Sequence, residues 1–150
     1  MAEPERPPRV DMRVQNQAVI ANFRATGGAP ATEGAMPLVL LTTTGATSGN
    51  AHTTPVCVRE DGGDLVVAGS MGGRPRHPQW YRNLTADPEL TVEYLGDTYR
   101  ARASTVPNGP DRDRLFQMMS EVIVGLYEYQ DRCRDQRQIP IVRLERTQQP

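Results

Sequence analysis

Apolar residues fall into short runs separated by turn-forming clusters, with one long stripe at helical spacing towards the C-terminal end. Leu38–Thr43 is an unbroken apolar run ending in threonines, and it predicts a strand buried on both faces. Thr53–Arg59 predicts a second strand and Leu65–Ser70 a third, with the strong turn signal Asp61-Gly62-Gly63-Asp64 between them. Short connections between the three predict an antiparallel meander. Leu90–Leu95 and Thr98–Val106 predict a hairpin across Gly96-Asp97, with Thr91, Glu93, Tyr99 and Arg100 on a face that meets water. Ile139–Glu145 predicts a closing strand.

Three segments carry the helical period. In Met12–Thr26, Val19, Ile20 and Phe23 share a face, and Gly27-Gly28 ends the pattern. A helix of about three turns is expected from His77-Pro78 to Asp87-Pro88, with Trp80 and Leu84 on one face and Tyr81 beside them. The clearest stripe is Leu115, Met118, Met119, Val122, Ile123 and Leu126, which predicts a single long helix from Asp111 to Arg134. Ala29–Ala35 reads as a small-residue connector. The expected fold is α+β and mainly β: a six-stranded antiparallel barrel with an N-terminal helix, a short inserted helix and a long C-terminal helix. The expected domain runs from 12 to 147, flanked by tails at 1–11 and 148–150.

The length of 150 residues suits one domain with a real core. A formal net charge of −1 gives no argument for a nucleic acid or an anionic membrane as partner. No apolar run approaches the roughly 20 residues of a membrane span, and the N-terminus MAEPERPPRV lacks a signal-peptide pattern. Cys57 and Cys133 lie far apart without CxxC or histidine company, so neither a metal site nor a disulfide framework is expected, and the chain reads as cytoplasmic. All 17 basic residues are arginine, which points to a GC-rich genome and gives every cation a planar fork suited to carboxylate or phosphate.

His52 and His77 lack both the grammar of a hydrolytic triad and the spacing of metal ligands. There is no Walker loop and no GxGxxG. Two stretches remain. In TTTGATSGNAHTTP, small hydroxyl residues and glycines crowd a turn whose N–H and O–H groups suit an anion; an ordinary hairpin is the alternative. In SMGGRPRHPQWYRNL a glycine pair leads into a helix start flanked by Arg74 and Arg76, a second place for an anion. Trp80 there is either a flat wall for a ring or a core residue.

These same stretches carry a resemblance. PLVLLTTTGxxSGxxxTTPV, VVAGSxGGxPRHPxWYxNLxAxPExTVE, the earlier NFRATGG and the late YEYQ resemble the deazaflavin-dependent nitroreductase family over residues 16–145. The resemblance implies a split β-barrel that binds reduced coenzyme F420 and passes hydride to quinones, nitroaromatics or activated double bonds. It implies a phosphate-side hairpin of Thr47, Ser48, Gly49, His52, Thr53, Thr54, Pro55 and Cys57, and a strand beneath the ring with Ala68 and Ser70. It also implies a ring-side loop and helix with Met71, Gly72, Gly73, Arg76, Pro78, Trp80 and Asn83. Tyr129 is expected to orient the acceptor or donate a proton, with Gln130 beside it, and Ser70 to hold the polar edge of the ring. Family members carry GRKSGxxR where this chain has Ala46, Thr47 and His52; Met71, Ile123 and Leu126 also depart from the pattern. Two alternatives follow: a barrel that has lost the coenzyme and acts as a small-molecule binder or cofactor-free isomerase or cyclase, or an FMN enzyme. The expected partner is a small-molecule substrate, with the chain a monomer or homodimer.

Overall fold

Leu38–Thr44 (β1) is buried on both faces over Val39–Leu41, and Val39 and Leu41 enter the core inside the sheet. In a computed structural model, which describes residues 12–29 and 36–147, β1 pairs along its whole length with Ala51–Cys57 (β2), Leu38 opposite Cys57 and Thr44 opposite Ala51. The remaining strands are Arg59–Asp61 (β3), Asp64–Ala68 (β4), Glu89–Tyr94 (β5), Asp97–Thr105 (β6) and Ile141–Arg146 (β7). All pairings are antiparallel and the order across the sheet is β2-β1-β5-β6-β7-β4-β3. The first and last strands of that order are joined in the chain by Val58 alone, so the sheet curls into a half-barrel.

Two expectations change here. Among the described residues seven strands form instead of six, because the expected strand Thr53–Arg59 exchanges partners at Val58: β2 pairs with β1, β3 with β4. Val58 is buried and donates its N–H to the Pro37 carbonyl, at 3.1 Å, instead of to a ladder. The meander is also replaced, since β4 lies beside β7 and not beside β2. Alternation reports which face a residue takes and carries no information about the neighbouring strand.

Inside the curl, Val39, Leu41, Leu65, Val67, Val92 and Leu144 form one core, closed by Trp80 and Leu84 of Gln79–Ala86 (α2). The opposite face of β4 offers Val66 and Ala68 to a second core under Pro110–Ser120 (α3) and Leu126–Cys133 (α4), with Leu115, Met119 and Leu126. Each strand residue thus feeds the core its parity selects. Met12–Ala25 (α1) contributes buried Phe23, and its Arg24 grips Glu93 of β5 at 2.9 Å. The expected tails and most of the 29–35 connector lie outside the described residues.

The long helix expected over 111–134 is two helices. Residues 121–125 break it, and Gly125 sits in the left-handed region at φ 86° before α4 begins. The stripe hid this because α3 and α4 return to the same core, so Leu115, Met119 and Leu126 are all buried across the break. The inserted helix is also shorter than expected, about two turns, with Pro78 just outside it. Among the described residues no helix is long and apolar enough to cross a membrane.

Charge fastens the closing strand. Arg143 of β7 reaches Asp61 at 2.9 Å and Asp64 at 3.2 Å, and Arg114 of α3 holds the other oxygen of Asp61 at 2.8 Å. Bonds from Arg114 and Arg143 hold the Asp61 carboxyl well below the usual carboxylate range. Its folded-state pKa lies under its unfolded value, so this stabilisation is complete above about pH 4 and disappears as pH falls towards the folded value. Urea midpoints between pH 2 and pH 6 should therefore fall less steeply with acid in Asp61→Asn than in the parent, from a lower starting point at pH 6.

Candidate functional site

The hairpin loop between β1 and β2 closes on itself through Gly45. Its N–H donates to the Asn50 carbonyl at 2.7 Å and its carbonyl accepts from Gly49 at 2.9 Å. A Cβ at Gly45 would lie 2.5 Å from Ser48 Oγ and 2.9 Å from His52 Nε2, so this glycine makes room for the loop's own side chains. Ser48 Oγ accepts the Asn50 N–H at 3.1 Å and stands 3.4 Å from His52 Nε2. Thr47, Ser48, Gly49 and His52 are exposed, while Thr53, Thr54 and Pro55 are half-buried along β2. Thr53 pairs hydroxyls with Thr42 at 2.8 Å.

This loop is tied to α2 by one amide. Asn83 is fully buried; its Oδ1 accepts from the Ala46 N–H at 3.0 Å and from Gln79 at 2.8 Å, and its Nδ2 donates to Thr43 Oγ1 at 3.0 Å. Asn83 therefore joins the two motif stretches, as a support beneath the surface. Trp80 is 6 % exposed and belongs to the barrel core, so its ring is a foundation for α2. Ala68 is likewise buried in the second core, opposite Ile141. Cys57 is not with the loop: it lies six residues down β2 beside Met36, about 20 Å away at strand spacing.

The 69–78 loop is held from behind by a residue that sequence reasoning missed. Arg137, 9 % exposed, donates to the carbonyls of Gly69, Ser70 and Arg74, each at 2.8 Å, and to His77 Nδ1 at 3.2 Å. One guanidinium thus fixes four points of the loop. Its only signal in the sequence was an arginine placed just before the apolar run Ile139–Val142. Gln130, expected beside the acceptor, instead clamps the same segment, accepting from the Ile139 N–H at 2.7 Å and donating to the Arg137 carbonyl at 3.2 Å.

Within the loop, Met71, Gly72 and Gly73 stand at φ 45°, 62° and 76°. For methionine that is a strained conformation, of the sort that surrounding structure must enforce. Gly73 is required twice, since a Cβ there would also lie 2.7 Å from the Tyr129 carbonyl. That close approach seats the loop against α4, and Arg132 adds a bond to the Gly72 carbonyl at 3.0 Å. Tyr129 is half-buried, with Arg132 5.7 Å above its ring. Ser70 is half-exposed, and Met71, Arg74 and Arg76 are exposed. The side chains of Arg74 and Arg76 make no ion pair or hydrogen bond among the described residues. Arg82 of α2 keeps a buried Nε without a hydrogen-bond partner among the described residues.

His77 is held neutral. Burial first, then the neighbouring charges of Arg137 and Arg82, lower its pKa below the ordinary imidazole value. Because Arg137 can only donate, Nδ1 must accept and the proton sits on Nε2.

The chain belongs to the F420H(2)-dependent quinone reductase family, whose sequence model matches residues 8–146. It is 38% identical over 115 residues to an F420H(2)-dependent quinone reductase of Mycobacterium tuberculosis H37Rv, covering 75% of this chain and 76% of that one. The solved structure of an F420-H2 dependent reductase, FDR-A, superposes with a TM-score of 0.64 at 33% identity, covering 73% of this chain and 94% of that one. A second solved structure, described as a domain-swapped dimer, gives a TM-score of 0.66 at 28% identity over 86% of this chain and 97% of that one. Family membership selects F420 over the FMN and coenzyme-free alternatives and agrees with the split-barrel expectation.

Two outcomes follow from this geometry. Asn83→Leu leaves the Ala46 N–H and Thr43 hydroxyl without their buried partner, and should lower unfolding stability by about 2–4 kcal/mol in denaturant titrations. By side-chain NMR, His77 should be neutral with its proton on Nε2 at pH 7 and titrate below about 6.5. Its unfolded form takes up a proton first, so its contribution to stability is present above that value and is lost as pH falls through it. Arg137→Met should move the titration part of the way back up.

Proposed function

We propose that this chain passes a hydride from reduced coenzyme F420 to a small electron-poor acceptor of the quinone class, using the surface between the β1–β2 loop and the 69–78 loop. The observation that carries the reading is the buried Asn83 amide, which ties the β1–β2 loop to α2, the helix that the 69–78 loop leads into, and so joins the two motif stretches. The family match across almost the whole chain supplies the reaction.

The donors on this surface fit an anionic coenzyme. Hydroxyls of Thr47 and Ser48 stand on one loop, and the guanidiniums of Arg74 and Arg76, unpaired among the described residues, flank the other. Guanidinium pairs with phosphate are charge-assisted and bidentate, so the two arginines take over work that basic residues at Ala46, Thr47 and His52 do elsewhere in the family. When bound, the coenzyme supplies the hydride. Ser70 and the backbone N–H groups of Met71 and Gly72 in the strained turn orient it, while the Gly73 N–H closes the turn on the Ser70 carbonyl and Arg137 keeps that turn from relaxing. Trp80 and Asn83 hold the floor. Tyr129, seated against Gly73, positions the acceptor and delivers a proton from its phenol, a group suited to act as an acid near neutral pH.

The test is anaerobic turnover of purified protein with reduced F420 and menadione, followed by reappearance of the oxidised coenzyme. The proposal expects turnover that depends strictly on added F420; equal turnover without it would overturn the reading. Replacing both Arg74 and Arg76 by glutamine should weaken coenzyme binding by about 10–100-fold, the loss of one or two charged bonds, with an unchanged thermal midpoint. Tyr129→Phe should lower kcat by about 10–100-fold with little effect on coenzyme affinity.

A further inference from the structure

A cavity of about 480 Å3 opens between α3, α4 and the segment after α4, and of the supports described above it shares Gln130 and Arg137. Arg112, Arg134 and Arg137 line it against one carboxylate, Asp113, and Phe116 and Tyr127 add flat apolar wall. That volume is of the size that takes a small organic ligand.

Positive charge outweighs negative here, with Asp113 the one carboxylate in the wall and no ion pair to Arg112, Arg134 or Arg137 among the described residues. Arg112 and Arg137 are 8 % and 9 % exposed, yet neither makes a salt bridge among the described residues; the ion pairs belong to Arg24, Arg59, Arg102, Arg114, Arg143 and Arg146. Burial of an unpaired cation is costly unless something of opposite charge meets it. Burial lowers the pKa of both groups, which is the mark of that cost. Arg137 has spent its donors on the loop. Arg112 has not: it donates to the Ile139 carbonyl, lies 5.2 Å over the Phe116 ring, and makes no other hydrogen bond among the described residues, so most of its N–H groups are left for the cavity. Arg134, which caps α4 and is exposed, has no described partner either.

We propose that this cavity is a second ligand site, for a small planar carboxylate whose anionic end is held by Arg112 and Arg134 and whose ring lies against Phe116 and Tyr127. Tyr127 is already fixed, its ring edge-on to Phe116 at 4.9 Å and its hydroxyl donating to Gln117 at 2.8 Å. Asp113 at the wall opposes a doubly charged guest, which favours a carboxylate over a phosphate. The site stands apart from the hydride-transfer reading, because none of the residues that receive the carboxylate belongs to the coenzyme surface.

Calorimetric titration of the full-length protein with 2-naphthoate tests it, with side-chain Nε resonances of the arginines as a second readout. Saturable one-to-one binding is expected, with a shifted Arg112 resonance and affinity about tenfold weaker in Arg134→Gln. Tyr127→Ala should weaken it as well, and neutral 2-naphthamide and inorganic phosphate should bind at least tenfold less tightly. Absence of saturation at millimolar naphthoate would overturn the proposal, as would equal binding of the amide, tighter binding of phosphate, or affinity unchanged in both variants. Displacement of naphthoate by reduced F420 would overturn it too, by making the cavity part of the coenzyme site.

Discussion

A single residue, Val58, joins the two outermost strands of the sheet. Strands at opposite ends of a seven-stranded order cannot be chain neighbours unless the sheet bends round to meet itself. That covalent constraint makes a half-barrel of what would otherwise be an open sheet with exposed edges, and it gives β4 an inner face for one core and an outer face for another. The outer core then has to be covered, and α3 and α4 cover it. The placement of α4 against the 69–78 loop follows from this, and so does every feature of the site on that side.

The site is assembled by two buried polar side chains acting from below. Asn83 connects the β1–β2 loop to α2, and Arg137 connects the 69–78 loop to the segment that precedes β7. Both are buried beneath the loops they hold. Groups that meet solvent, such as Thr47, Ser48, Arg74 and Arg76, stand above these supports, each of which makes three or more hydrogen bonds. Preorganisation of this kind places the ordering cost in folding and not in binding, and the strained backbone at Met71 is one visible consequence.

Much of this was legible from residue order. Burial of Leu38–Thr43 on both faces, the strand from Leu65, the hairpin at Gly96-Asp97 and the apolar face of the third helical segment all followed from the pattern of apolar and turn residues. The motif stretches TTTGATSGNAHTTP and SMGGRPRHPQWYRNL pointed to the family before any coordinates. Periodicity failed at the break near Gly125, because two helices sharing one core keep one unbroken stripe. It failed again at Val58, because alternation is blind to which strand lies alongside. Trp80, Asn83 and Cys57 carried roles by motif that their depth or position does not support as direct contacts, since a motif records identity and not accessibility.

Sequence by itself determined the class of this protein: short strands and amphipathic helices specify a small barrel, and the resemblance carried by the two motif loops adds the F420-dependent type. Which strands became neighbours, where the last helix divided and which polar groups ended up beneath the site were decided only in three dimensions. Those outcomes depend on contacts between residues tens of positions apart, such as Arg137 with Gly69 and Asn83 with Ala46. Local propensity carries no record of such pairs, since their energy exists only once distant segments have been brought together.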